Sequence, residues 1–434
     1  MALAADERTQ ADEVRRQLGR RRSALADAWN LGDEVVLVGA GSPIAIPGRR
    51  DRTYPFHAHL EYLYLTDRER AAGVLAYDPK DGWTDFVTPV TREERLWEGA
   101  AEDEAPGTTP TDELPGWLEE RAGRRVALLG SSFDHAPAHD ESLTEELRRE
   151  LNALRRVKDE LELERMRLAE RATAAGFANL AELIEPGRTE RELQIELEAE
   201  FLRQGADDVA FDSIVGSGPN SAVLHFPPSR RELRSGELVL VDAGAEFRGY
   251  DSDVTRTYPV SGELSDEQRG VYEIVRRALE VSTERCLPGT EFREIHRSAQ
   301  LVIAEGLAEL GLLRGAPETL VESEAVSVFF PHGIGHLVGL GIRDASEALP
   351  GRERDEFPRL RLDLPLLAGY VTTIEPGVYF VPALVQDPDF RAKHRDAVEW
   401  EKAEAMLGFG GIRLEHDVLV TDDGYEVLTA DIPL

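Results

Sequence analysis

The first 130 residues alternate short apolar runs with amphipathic stretches. The runs "EVVLVGA" (34–40), "LEYLYLT" (60–66), "AGVLAYD" (72–78) and "RVALLG" (125–130) are rich in apolar, β-branched or aromatic residues and read as strands. Strands alternating with helical stretches predict an α/β arrangement. Residues 99–117, rich in Pro, Gly and acidic side chains, read as a surface loop. From about Leu151 a long helical pattern begins, which puts a domain boundary near residue 155. The expected division is an N-terminal α/β domain, 1–155, and a larger domain, 156–434.

The larger domain carries a weak internal repeat. One helical stretch (160–184) stops at Pro186-Gly187, and a helix opened by Thr189 with Glu192 follows. That pair has the spacing of a capping box, in which each side chain satisfies the other residue's backbone amide. A second helix, opened by Ser265 with Gln268 at the same offset, stops at Pro288-Gly289 and is again followed by a helix. Each pair leads into a glycine-rich turn with a histidine, "VGSGPNSAVLH" and "FFPHGIGH". Two halves, each a helix pair followed by sheet, are expected around one core.

"GELVLVDAGAEFRGYDSDVTRTYPV" (236–260) reads as a β-hairpin. A turn centred between Phe247 and Arg248 sets Asp242 opposite Asp253, and would set Asp251 opposite Gly244. Cross-strand Cβ atoms lie about 4.5–5.5 Å apart, where like charges destabilise the pair unless a cation sits between them. The alternative is a rim of solvated carboxylates. "VTTIEPGVYF" (371–380) ends a strand at Glu375, and "FGGIRLEHDVLVT" (409–421) is a further strand with Arg413, Glu415 and Asp417 on one face. Carboxylates inside such apolar runs need partners, because burying an unpaired charge costs several kcal/mol. Asp242, Asp253, Glu375 and Glu415 with one neutral histidine balance two divalent cations, the charge count of a two-metal hydrolytic site.

Composition narrows the function classes. Hydrophobic residues are 41% of the 434, enough for sizeable cores. The net charge of −33 repels nucleic acid and anionic lipid, so neither is expected as a partner. The single cysteine, Cys286, rules out a disulfide framework and a cysteine zinc site, and its apolar surroundings mark it as buried and inert. No apolar stretch suits a secretory signal or a membrane span, which makes the cytoplasm the default location. "VVLVGAGSPI" (35–44) lacks the third glycine and the helix of a dinucleotide turn, and no G-x-S-x-G is present.

The segments "VDAGAEFRGYDSDVTRT", "PHGIGHLVGL", "TTIEPGVYF" and "FGGIRLEHDVLVTDDG" resemble the pita-bread metallopeptidases, in particular the Xaa-Pro dipeptidases (prolidases) and aminopeptidase P. "RTYPFHAHLEYLYLT" and "VTREERLWEG" resemble the creatinase-like N-terminal domain of the same family. The resemblance implies an α+β fold, with that α/β domain followed by a pita-bread domain of pseudo-twofold symmetry. It implies Asp242, Asp253, His336, Glu375 and Glu415 as ligands of two divalent ions, manganese first, with cobalt, zinc or iron as alternatives. A hydroxide bridging the metals would be the nucleophile, and Glu375 the general base. His332 matches a supporting position, and His225 a histidine that lines the substrate pocket. Arg361 falls where prolidases carry an arginine for the dipeptide carboxylate, and Arg413 matches an arginine that supports the ligands.

Two residues depart from the pattern. Arg343 stands seven residues after His336, where the family has a histidine, and Phe211 stands where prolidases have a tyrosine. An arginine donates hydrogen bonds but is no proton shuttle at neutral pH. Arg343 either clamps substrate or turns outward to pair with Asp344. The segment between Glu375 and Glu415 is similar in length to that of prolidases, and this resemblance implies an Xaa-Pro dipeptidase that acts on small peptides as a homodimer. Aminopeptidase P, which takes longer Xaa-Pro-Yaa peptides, and a non-catalytic pita-bread binding protein are the alternatives.

Overall fold

The computed structural model describes residues 2–49, 52–99, 107–346, 352 and 360–434. The chain divides into two compact units, Met1–Arg155 and Arg156–Leu434.

The first unit contains α1 (Ala2–Trp29), β1 (Val35–Gly39), α2 (Leu60–Thr66), β2 (Val74–Asp78), β3 (Gly82–Val87), α3 (Arg92–Trp97), β4 (Thr108–Pro110), α4 (Leu114–Glu119) and β5 (Val126–Gly130), and most of α5 (Glu141–Arg156). Its five-stranded sheet has the order β4-β3-β2-β1-β5, with β1 parallel to β5 and antiparallel to β2. The expected strand at 60–66 is instead the helix α2. Glu61 to Thr66 are all buried, so burial does not alternate, and short apolar runs of this kind suit either element. End signals decide: the His59 side chain accepts from the Glu61 amide, and Asp67, at φ 57°, closes the helix in the left-handed region. The expected loop at 99–117 contains β4 and α4, while residues 100–106 lie outside the described residues.

The second unit opens with α6 (Glu160–Leu183) and α7 (Glu190–Arg203), then β6 (Asp208–Val209), β7 (Ile214–Ser217), β8 (Leu238–Ala243), β9 (Ala245–Phe247), β10 (Tyr250–Asp251) and β11 (Val254–Pro259). Its second half repeats the plan. A helix pair, α8 (Asp266–Thr283) and α9 (Phe292–Glu309), is followed by α10 (Pro317–Glu322) and by β12 (Val371–Ile374), β13 (Gly377–Tyr379), α11 (Pro382–Val385), α12 (Pro388–Lys393), α13 (Trp400–Ala405), β14 (Gly411–Arg413), β15 (His416–Val420) and β16 (Tyr425–Val427). Capping boxes open α6 (Asp159, Glu162), α7 (Thr189, Glu192) and α8 (Ser265, Gln268). The Asp159 cap divides the continuous helical pattern seen from Leu151 into α5 and α6. Both Pro-Gly breaks use a positive φ, 94° at Gly187 and 86° at Gly289, and each amide donates to a carbonyl outside the helices, Leu233 and Leu366.

Two apolar clusters hold this unit together. One joins α6 and α7 to β7, β8 and β11 through Phe177, Leu197, Phe201 and Val241. The other joins α8 and α9 to β12, β14 and β15 through Ile274, Phe292, Ile374 and Val418. Cys286 follows α8 in this second cluster, and burial pushes its thiol up to about 12.

Candidate metal centre and active site

The hairpin forms, but one residue later than the spacing suggests. Its turn is Arg248-Gly249, with φ 55° and 79°, the pair of positive values that a two-residue turn of twisted strands favours. Asp242 therefore faces Thr255, not Asp253, and Asp251 faces Glu246, not Gly244. A shift of the turn by one residue moves each partner by two, and a shift of two keeps side chains on the same face. Asp253, at the foot of β11, thus still reaches Asp242 diagonally. The expected single strand at 409–421 is two strands, β14 and β15, and Glu415 sits at the break between them.

One oxygen from each of Asp242, Asp253 and Glu415 lies within 4.8 Å of the others, and all three residues are buried. His336 Nε2 is 3.5 Å from Asp253 Oδ2 and 3.9 Å from Glu375 Oε1. His336 Nδ1 lies 3.1 Å from the Leu337 carbonyl, which only accepts, so the proton sits on Nδ1 and the Nε2 lone pair faces the carboxylates. Backbone pairing fixes this placement: Thr373 N donates to His336 O at 2.8 Å and Glu375 N to Ile334 O at 2.7 Å. Between them Gly335 crosses β12 so closely that a Cβ would sit 2.0 Å from Thr373 O.

The electrostatics call for a cation. Burial first, and the neighbouring carboxylates after it, hold Asp253 and Glu415 well above the ordinary carboxylate range. Burial raises Glu375 to about 7, with Arg413 opposing. Burial lowers His336 to about 4, leaving its imidazole neutral. Asp242 Oδ1 has no hydrogen-bond partner among the described residues. A neutral imidazole nitrogen, an unpartnered carboxylate oxygen and several repelling carboxylates form a donor set that fits divalent metal.

The supporting residues form a chain. Arg413 donates from Nη2 to Asp242 Oδ2 (2.6 Å), from Nε to Thr255 Oγ1 (3.0 Å) and from Nη1 to the Tyr379 hydroxyl (2.9 Å). Thr255 Oγ1 donates a hydrogen bond to Glu415 Oε2 at 2.7 Å. Tyr379 donates to His332 Nε2 at 2.9 Å, whose Nδ1–H points at Gly333 O at 2.8 Å. His332 Nδ1 also lies 3.6 Å from Glu375 Oε2. Asp417 accepts the Asp253 amide at 2.8 Å. Sequence reasoning missed the parts of Thr255 and Tyr379. Both lie inside quoted motifs, and only their contacts single them out.

A cavity of about 550 Å³ opens onto this cluster. Asp242, Asp253, His336, Glu375 and Glu415 line it together with Phe211, His225, Arg343 and Arg361. A smaller space of about 40 Å³ brings in His332 and Arg413 beside His225, Arg361 and Glu375. The candidate ligands and the candidate substrate and supporting residues named from the sequence all line one or other of these two spaces, while Asp251 and Asp417 line neither. Burial, then Arg413, lowers His225, which favours its neutral form. Asp344 is buried and bound to Lys158 Nζ at 2.9 Å, while Arg343 beside it faces the cavity. Arg156 Nε adds a bond to Ala345 O at 2.9 Å, so the turn that carries Arg343 is held from one segment.

Known proteins match this chain over nearly its whole length. The Xaa-Pro aminopeptidase of Escherichia coli is 30% identical over 451 residues, covering 96% of this chain and 95% of that protein. A probable Xaa-Pro aminopeptidase of Penicillium rubens is 32% identical over 446 residues, covering 94% and 88%. The structure of E. coli aminopeptidase P with the inhibitor Pro-Leu superposes with a TM-score of 0.80 at 28% identity, covering 96% of this chain and 95% of that one. Pseudomonas aeruginosa aminopeptidase PepP gives 0.79 at 28% identity, with the same coverage. The profile of metallopeptidase family M24 matches residues 164–422, a span that holds all five candidate ligands, and the chain belongs to that family.

Proposed function

We propose that this protein is an Xaa-Pro aminopeptidase that releases the N-terminal residue from Xaa-Pro-Yaa peptides. The observation that carries the reading is the five-residue donor set at the base of one cavity, in a chain matched end to end by proteins named for that activity. Those names favour aminopeptidase P over the dipeptidase that leads the sequence reading. Arg361 and Arg343 on the cavity wall are what favours the dipeptidase, since guanidinium groups suit the terminal carboxylate of a bound dipeptide.

Asp242, Asp253, His336, Glu375 and Glu415 would hold two divalent ions. When bound, these supply Lewis acidity and bring a water toward ionisation near neutral pH. Glu375 would take a proton at a carboxylate oxygen and return it to the proline nitrogen as the peptide bond breaks. His225, neutral and on the cavity wall, donates to the scissile carbonyl. Arg343 adds a fixed positive charge where the carbonyl oxygen becomes negative. Phe211 and Phe226 exclude water from the Xaa-Pro unit. A carboxylate-rich set with one imidazole suits manganese, which we propose as the metal, in a cytoplasmic homodimer.

The test is a substrate panel on manganese-loaded protein: Xaa-Pro-Yaa tripeptides, Xaa-Pro dipeptides and tripeptides without proline. Cleavage of the first group at the Xaa–Pro bond is the expected result. Cleavage of dipeptides alone would replace the reading with prolidase, and cleavage of neither would overturn both.

A further inference from the structure

Glu190 is the first residue of α7 and is fully buried. Its carboxylate accepts five hydrogen bonds. Oε1 takes the Ser217 amide (2.8 Å), Ser217 Oγ (2.8 Å) and Asn220 Nδ2 (2.9 Å). Oε2 takes the Ser229 amide (3.2 Å) and Ser229 Oγ (2.6 Å). Every donor belongs to the two feet of one loop, residues 217–229. The span between those feet carries His225, Phe226, Pro227 and Pro228, all of which line the cavity above the candidate ligands. The backbone joins in: Glu190 N donates to Arg231 O and Arg191 N to Ser229 O. Arg191 and Gln194, on the same turn of α7, line the cavity too.

The rising foot has a second tie. Ser221 Oγ donates to Gly218 O at 2.7 Å and accepts from Gly411 N at 2.8 Å, at the start of the strand that carries Arg413. The falling foot has no equivalent tie to that strand among the described bonds. Its side chain and amide both go to the Glu190 carboxylate and its carbonyl to Arg191 N, so its position relative to Arg413 and Glu375 is set from the start of α7, with Glu190 supplying the side-chain share of that tie. Arg231 compensates the buried charge through Ser217 Oγ at 2.7 Å while pairing with Glu237.

We propose that Glu190 is a positioning residue: it fastens both feet of the 217–229 loop and thereby sets the distance of the His225–Pro228 wall from Glu375. Through that wall it governs how the Xaa-Pro unit is held, a role that rests on the aminopeptidase reading. It touches neither substrate nor metal.

The test is E190Q, which keeps size but turns one acceptor into a donor facing the Ser217 or the Ser229 donors. Hydrogen exchange of the amides in 219–226, metal content, thermal midpoint, and KM and kcat for an Xaa-Pro-Yaa peptide would be measured together. Exchange in that segment should quicken at least tenfold and KM rise at least tenfold, with metal content unchanged and kcat per folded molecule less affected. Exchange and KM equal to wild type, or activity lost only in step with the unfolded fraction, would overturn the proposal. Should E190Q fail to fold, the double variant N220A/S229A removes bonds at both feet and leaves the carboxylate in place. Wild-type protein that cleaves no Xaa-Pro peptide defeats the functional reading alone, because exchange still reports on the loop.

Discussion

Arg413 grips one oxygen of Asp242 at 2.6 Å and leaves the other, Oδ1, without a partner among the described residues. A protein cation orients the carboxylate, and its free oxygen faces the cluster of Asp253 and Glu415. The same guanidinium reaches Thr255 and Tyr379, and so holds three parts of the centre in one plane. Lysine offers one point charge and cannot span those three directions. Arg413→Lys should weaken metal affinity and kcat by roughly ten- to a hundredfold, the usual cost of losing an outer partner. Calorimetric metal titration beside steady-state kinetics checks this.

The candidate ligands should tolerate less. Asp253→Asn and Glu415→Gln each remove one of the negative charges that the cation needs. Elemental analysis after dialysis should find metal lost in both variants, and activity should fall by more than about a hundredfold. Full activity in either would remove that residue from the centre.

Chelated protein should lose stability as pH rises past neutral. Asp253, Glu415 and Glu375 are held above their unfolded values, so between those values the folded state binds more protons than the unfolded one. The stability these carboxylates contribute falls with rising pH, starting near the ordinary carboxylate range and continuing through about 7, where Glu375 titrates. Below about 6.5 the buried neutral histidines His332, His336 and His416, held under their ordinary value, oppose this trend, so the thermal midpoint of the metal-free protein should fall between pH 7 and pH 8, where only the carboxylates still titrate. Added metal should raise the midpoint most at pH 8, because it takes over the role of the protons. A flat profile for the chelated protein would contradict the burial seen here.

Arg343 is on the cavity wall and Asp344 is committed to Lys158. Arg343→His should therefore change kcat/KM for an Xaa-Pro-Yaa peptide by at least about tenfold, the scale of a charged contact made in the transition state. Metal content should stay fixed. An unchanged profile would mean that the guanidinium does not meet the substrate.

Lys158→Met takes the Lys158 ammonium away from the buried Asp344 carboxylate. Breaking such a pair costs about 3–5 kcal/mol, so the unfolding midpoint in urea should drop clearly. Because the pair holds the turn next to Arg343, kcat/KM should fall in Lys158→Met as well. Denaturation curves and kinetics on the same preparation separate the two effects.

Much of the centre could be read from residue types because buried carboxylates in strand text have few physical excuses. Asp242, Glu375 and Glu415 each end or interrupt an apolar run, and that contradiction marks them. Hairpin register was harder to read. The turn at Arg248-Gly249 depends on two positive φ values, and "EFRGYD" allows more than one centre. α2 was misread because "LEYLYLT" is buried on all sides, so no period survives in it. Thr255, Tyr379 and Glu190 carry no signal of their own: each is ordinary for its element, and only long-range bonds give it a part.

Asp242 and Asp253 belong to the first half of the second unit, and His336, Glu375 and Glu415 to the second. Neither half holds a complete ligand set. During synthesis the two aspartates emerge well before the histidine, and the set closes only when Glu415 has left the ribosome. Full-strength metal binding by this candidate set would therefore wait for the second half of the unit to be made. Until then the first half would carry Asp242 and Asp253 without the rest of the candidate set.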